Sequence, residues 1–309
     1  MRRRTILLGA GAIGAVAVGA LALRPPMLSE TEPTGQFITV EGQRIHYRIL
    51  GEGPKAIAVH GASGNLMDWV LGPAPRIAET HQILLFDRPG LGFSDRPEGG
   101  HNPFVQARLM YLAAQELGFG EAILIGHSFG GSVSLAWALA HPESITALML
   151  LSAPSHVWEG GVGVLFDLSA SPITGPLLTR TIPRLVTEDY LRTRVGNIFT
   201  PQSAPEGYLD EVGVDLSLRP QTLRNNGRDL SNLKPVIRDM VERYDALTLP
   251  LEILHGTVDT IVPAQIHSDK LATRLPHARY TRLEGIGHMT HHVAMEAMLE
   301  ALGRLQAQV

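Results

Sequence analysis

Cysteine is absent from the 309-residue chain. That one absence removes a thiol nucleophile, a disulfide framework and a thiolate metal site together. An excess of charge of one sign is missing too. Against 30 acidic residues stand 26 basic ones, a formal balance of −4, and apart from residues 2–4 there is no long basic run. The electrostatic footprint of a nucleic-acid binder is therefore lacking. What the chain does have is 44% hydrophobic residues against 18% charged, which suits one large globular domain, or one domain with an insertion.

The N-terminus carries a long uncharged stretch. Residues 6–23 follow Arg2-Arg3-Arg4 and end at Arg24-Pro25-Pro26. As a helix this stretch would span about 27 Å, against a hydrocarbon core of roughly 30 Å. Arg3-Arg4-Thr5-Ile6-Leu7 resembles a twin-arginine export signal, and Ala20-Leu21-Ala22 offers a small-x-small cleavage site. Residues 1–24 are read as a signal peptide or an N-terminal membrane anchor, any membrane association running through residues 6–23. Either reading keeps the basic flank in the cytoplasm and puts the following domain on the periplasmic or extracellular side.

Residues 25–35 read as a polar linker. Residues 37–40 and 44–50 then alternate apolar and polar side chains around Glu41-Gly42, a hairpin signal. From residue 56 the pattern changes to short apolar runs without alternation, at 56–59, 83–86, 123–125, 148–151 and 251–254. Helix-length segments separate these runs, which predicts a parallel sheet covered on both faces. Asn102-Pro103 opens a helix reaching about residue 117, with Asn as cap and Pro at the first helical position. Between residues 155 and 246 the strand rhythm stops. Glycine-rich and proline-interrupted sequence there leaves room for short helices at 188–195 and 232–243, with no internal repeat.

Gly126-His127-Ser128-Phe129-Gly130 follows an apolar run at 122–125 and precedes a helix-like segment at 131–140. This G-x-S-x-G context reads as a sharp strand-to-helix turn holding Ser128 as an exposed nucleophile, the small residues being needed where strand and helix nearly collide. Asp259 lies just past the apolar run at 251–254. His288 follows a second strand-like run at 279–283. Upstream, the run at 56–59 ends in His60-Gly61-Ala62-Ser63-Gly64.

In this order, serine then acid then histidine, the chain resembles the α/β-hydrolase superfamily, in the branch with a cap domain. The resemblance rests on His60-Gly61, the segment from Asp87 to Ser94 (Asp-Arg-Pro-Gly-Leu-Gly-Phe-Ser), Gly126 to Gly131, His255-Gly256-Thr257-Val258-Asp259 and Gly285-Ile286-Gly287-His288. It implies a mostly parallel eight-stranded sheet with helices on both faces. Residues 36–154 and 247–309 would form the core, and 155–246 a mainly helical cap.

The resemblance also implies roles. Ser128 would attack an acyl carbon, His288 would act as base and then acid, and Asp259 would hold the imidazole in its working tautomer. The backbone N–H groups of Phe129 and Ala62 would form the oxyanion hole, with Ser63 the alternative in that loop. His60 would anchor the loop, His127 would be structural, and Asp87 to Ser94 a conformational element. Serine at 128 departs from the haloalkane dehalogenases and epoxide hydrolases, which use aspartate at that position.

The expectation is a serine hydrolase of the carboxylesterase or lipase-like kind. It needs no cofactor and no metal and cleaves a small-molecule acyl substrate through an acyl-enzyme. An amidase, a carbon-carbon bond hydrolase and a non-catalytic ligand-binding relative are the alternatives. Met67, Trp69, Phe129 and Trp137 suit an acyl pocket or the core equally.

Overall fold

The computed structural model describes residues 31–309. Residues 1–24, with the expected signal or anchor, lie outside the described residues. Among the described residues no helix is long and apolar enough to cross a membrane. The expected linker is tied down where it is described: Thr31 N–H donates to Asp215 and Gly35 N–H to His46 Nε2.

Eight strands form one sheet: β1 (Gln36–Val40), β2 (Gln43–Leu50), β3 (Lys55–Val59), β4 (Gln82–Phe86), β5 (Ala122–His127), β6 (Ile145–Leu151), β7 (Leu251–Gly256) and β8 (Arg279–Leu283). Their order is β1-β2-β4-β3-β5-β6-β7-β8. The first two pair as an antiparallel hairpin whose turn residues Glu41 and Gly42 both have positive φ, the backbone that a two-residue turn between right-twisting strands requires. β2 meets β4 antiparallel, and from β4 to β8 every pairing is parallel.

The longer helices are α1 (Pro103–Glu116), α2 (Phe129–Ala140), α3 (Val164–Ala170), α4 (Gly175–Leu185), α5 (Glu188–Phe199), α6 (Pro220–Val241), α7 (Ser268–Arg274) and α8 (Met295–Gln306). Asn102 caps α1, its side chain accepting from Phe104 N–H at 2.9 Å.

The central strands lack alternation because both of their faces are buried. Ile57, Val59, Leu124 and Leu148 pack on one side with Ala107 and Met110 of α1 and Val133 and Trp137 of α2. Ala56, Ala58, Ile123 and Ile125 pack on the other with Met298, Leu302 and Leu305 of α8. Such burial on both faces is what makes a parallel strand read as a continuous apolar run.

Between β6 and β7 the described residues hold helices and no strand. The helix expected at 188–195 runs on to Phe199, and that expected at 232–243 is the C-terminal half of the 22-residue α6. Pro235 lies inside α6 rather than at its start. A proline removes one hydrogen bond and bends a helix, and tertiary packing can hold the two halves together. Leu233, Ile237 and Met240 supply that packing from the core face of α6.

Candidate active site

At the β5–α2 junction Ser128 adopts φ +52° and ψ −126°, a backbone strained for any side chain but glycine's. Close packing around the turn maintains it. A Cβ on Gly126 would sit 2.4 Å from Ser134 Oγ, and one on Gly130 would sit 2.2 Å from the Val59 carbonyl oxygen. Small residues are therefore obligatory on both sides of Ser128, as the motif predicts. The serine itself is 8% exposed.

His288 and Asp259 converge on this serine. His288 Nε2 lies 2.9 Å from Ser128 Oγ, and His288 Nδ1 lies 2.7 Å from Asp259 Oδ2. With Nδ1–H donating to the carboxylate, Nε2 is left as the acceptor for the serine hydroxyl. Asp259 is well supplied with donors: Oδ1 accepts from the Ile261 and Val262 N–H groups at 2.8 and 2.9 Å. His255 Nε2 adds a longer contact of 3.2 Å to Oδ2. Burial by itself would raise the carboxyl pKa. The bonds from His255 and His288 outweigh that, and Asp259 is held well below the usual carboxylate range.

His255 belongs to a stretch that marks the family resemblance, yet nothing in the sequence assigns it a task. Its Nδ1 faces Ser268 Oγ at 2.6 Å, and its Nε2 lies 2.6 Å from the Val262 carbonyl oxygen. The ring, donating from Nε2 to that carbonyl, braces the loop that presents Asp259.

The loop after β3 lies against the serine, since a Cβ on Gly61 would come within 3.1 Å of Ser128 Cβ. Arg88 fixes this loop from below. Its Nε donates to the His60 carbonyl at 3.0 Å and its Nη2 to the Gly61 carbonyl at 3.2 Å, while its own N–H donates to His60 Nε2 at 2.9 Å. His60 Nδ1–H also donates to Gly61 O at 2.9 Å. With the Gly61 carbonyl held on that side, the trans peptide aims the Ala62 N–H the opposite way. Ser63 N–H is already engaged, donating to Asn226 Oδ1 of α6 at 2.8 Å.

Asp87 organises the neighbouring segment. It accepts from Leu66 N–H, Phe93 N–H and His46 Nδ1–H at 2.7, 2.9 and 2.7 Å, which fits the conformational role expected of residues 87–94. His127 is structural in a specific way: its Nε2–H donates to the His288 carbonyl at 3.0 Å. Trp69, Phe129 and Trp137 are sealed in the core, and the Phe129 ring lies under the Arg88 guanidinium, 4.4 Å from its Cζ.

Sequence spacing alone makes His288 and His292 a pair, but the structure separates them. His291 and His292 turn instead toward Asp68, with Nε2–O distances of 3.0 and 2.8 Å, and Tyr208 OH donates to the same carboxylate at 2.8 Å. The ligand atoms of Asp68, His291 and His292 lie within 4.8 Å of one another, a spacing compatible with a metal ion. Each is already engaged in these hydrogen bonds. Asp68 thus ties the segment carrying His288 to the helical insertion.

Buried histidines, His60 and His291 among them, make the fold acid-sensitive. Burial, reinforced for His60 by Arg88, lowers the pKa of His60 and of His291 to about 4. The unfolded chain, with pKa about 6.5, binds protons that the folded chain refuses. Stability from this source is complete above about pH 6.5 and drains as pH falls toward 4. At pH 5 the loss is about 2 kcal/mol for each ring. Urea midpoints measured at pH 7 and pH 5 should fall accordingly, and His60→Gln should flatten the slope.

A nucleophile elbow, an imidazole and a carboxylate at the C-terminal edge of a mostly parallel eight-stranded sheet define a protein of the α/β-hydrolase class. Residues 57–167 match the family described as the alpha/beta hydrolase fold. The chain has the α/β-hydrolase fold, and its matched segment is similar to that family. It is 28% identical to a 2-hydroxymuconate semialdehyde hydrolase of Pseudomonas putida, over 83% of this chain and 88% of that protein. The fold is shared with an esterase of Exiguobacterium antarcticum, at TM-score 0.70 and 21% identity over 88% of this chain and all of the other. It is shared likewise with a meta-cleavage product hydrolase of Pseudomonas fluorescens, at TM-score 0.66 and 20% identity over 89% and 98%.

Proposed function

We propose that the chain is a serine hydrolase that cleaves a small-molecule carboxylic ester through an acyl-enzyme on Ser128. The observation that carries this reading is the continuous bonding from Ser128 Oγ through His288 to Asp259 at 2.9 and 2.7 Å. His288 Nε2 takes the hydroxyl proton as the oxygen attacks the acyl carbon, and the Asp259 carboxylate stabilises the imidazolium that forms. The proton then passes to the leaving group. A water deprotonated by the same nitrogen releases the acid and restores Ser128.

Negative charge on the tetrahedral intermediate is assigned to the N–H groups of Phe129 and Ala62. Phe129 opens α2, where an N–H has no intrahelical acceptor, and Ala62 follows the carbonyl that Arg88 restrains. Engagement of Ser63 N–H by Asn226 favours Ala62 over Ser63 for the second donor.

A second reading, hydrolysis of a carbon-carbon bond in a ring-cleavage diketone by the same three residues, is favoured by the relatives named for such reactions in Pseudomonas putida and Cupriavidus pinatubonensis. A panel of p-nitrophenyl esters of graded acyl length, run beside a 2-hydroxy-6-oxo-dienoate, separates the two. The ester reading expects the higher kcat/KM on a short or medium acyl ester. A dienoate preferred by about a hundredfold would replace it with the carbon-carbon reading.

A further inference from the structure

Away from Ser128, the insertion bears a solvent-open cavity of about 480 Å³ between α4 and the start of α6, lined by Arg180, Arg219, Arg224 and Arg228 together with Thr179 and Asn225. No acidic side chain lines it. Among the described residues none of these four arginines makes a salt bridge. The basic residues of the core behave otherwise: Arg88 and Arg96 share Asp229, Arg274 pairs with Asp245, and Arg304 pairs with Glu252.

Such a cluster is costly if left alone. Arg224 and Arg228 are an i, i+4 like-charge pair on one helix, an arrangement that repels. Arg224 Nε is buried with no hydrogen-bond partner, and a buried donor without an acceptor is destabilising. Burial, then Arg224 and Arg96, depress the pKa of Arg228. The first turn of α6 adds its own positive potential, since no side chain caps it and the helix is 22 residues long. Two of the guanidiniums have weak local partners: Arg180 Nη1 donates to the Pro176 carbonyl at 3.3 Å, and Arg219 lies over the Phe93 ring at 4.9 Å. Neither contact neutralises charge.

We propose that this cavity binds an oxyanion of the phosphate class, presented by a soluble phosphoester or by an anionic lipid headgroup. Planar guanidinium forks match such oxygens two at a time, and the volume is within the range of small-molecule sites. The lipid source has a physical basis close by, because Ile173 and Leu177, next to the cavity-lining Pro176, are 87% and 74% exposed.

Calorimetric titration of the full chain with inorganic pyrophosphate, and co-sedimentation with phosphatidylcholine vesicles with and without phosphatidylglycerol, test the site. Binding should weaken about tenfold or more in Arg224→Ala and several-fold in Arg224→Lys, which keeps the charge and loses the fork. Arg194→Ala, an exposed arginine of α5 outside the cavity, should leave it unchanged, with melting temperatures confirming that all variants fold. Pyrophosphate binding with this dependence supports a soluble source. Binding to phosphatidylglycerol vesicles alone, with the same dependence, supports the headgroup. Absence of both, equal weakening by Arg194→Ala, or vesicle binding that Arg224→Ala leaves intact without pyrophosphate binding overturns the proposal.

Discussion

Ser128→Ala is expected to lower kcat/KM on the preferred ester by about four orders of magnitude or more, while the melting temperature moves by only a few degrees. Removing the nucleophile of a serine–histidine–carboxylate array leaves only binding and oxyanion stabilisation, which typically retain a residual 10³–10⁴-fold over water. Stability should change little, because the alanine Cβ occupies the same place at the +52° φ of residue 128 and only the hydroxyl, with its bond to His288 Nε2, is lost. Esterase kinetics, labelling by a fluorophosphonate probe and a thermal melt on both proteins measure the three quantities. Turnover near the wild-type rate in a folded Ser128→Ala protein would remove the acyl-enzyme from the mechanism.

The largest stability effect is expected at Asp229. Arg88 and Asp229 are both fully buried and lie 3.2 Å apart, and Asp229 also receives Arg96 at 2.6 Å and Gln106 Nε2–H at 3.2 Å. Truncation to alanine strands a buried guanidinium, a change that costs about 3–5 kcal/mol. The cost is partly met in the wild type already, since burial lowers the Arg88 pKa to about 10 despite Asp229 beside it. Asp229→Asn should cost less, because the amide still accepts a bond. The same variants should lower kcat more than they raise KM. Arg88 is the group that restrains the His60 and Gly61 carbonyls, and a looser loop would misplace the Ala62 N–H proposed as an oxyanion donor. Denaturant midpoints with kinetics at low temperature distinguish the two effects. A midpoint unchanged from wild type would show that the ion pair contributes nothing net.

This dependence also links the insertion to the chemistry. Asp229 sits on α6, as does Asn226, whose side chain holds Ser63 through both its N–H and its hydroxyl. Tyr208 reaches Asp68 from the same insertion. The insertion is thus hydrogen-bonded to the loop after β3, to the segment after β4 and, through Asp68, to the segment that carries His288.

Runs of apolar residues at 56–59, 83–86, 123–125, 148–151 and 251–254 all lie within strands of the sheet, because a strand buried on both faces leaves a signal that needs no knowledge of its neighbours. The elbow is legible for a related reason: glycine is written into the chain wherever a Cβ would collide with backbone. The insertion is harder to read. Pro235 and the Asn225-Asn226-Gly227 run argue against one long helix locally, yet Leu233, Ile237 and Met240 pack it onto the core. Local propensity loses there to burial.

Residue type and order were enough to single out Ser128, Asp259, His288 and the loop after His60, since a strained turn and an ordered acid and base are written along the chain. Which partners they keep depended on contact between distant segments. Arg88 restraining the Gly61 carbonyl, Asp68 drawing His291 and His292 away from His288, and the arginine-lined cavity all join side chains with no shared motif. A buried polar group must find its partner in space, and the chain does not record that partner in the residues next to it.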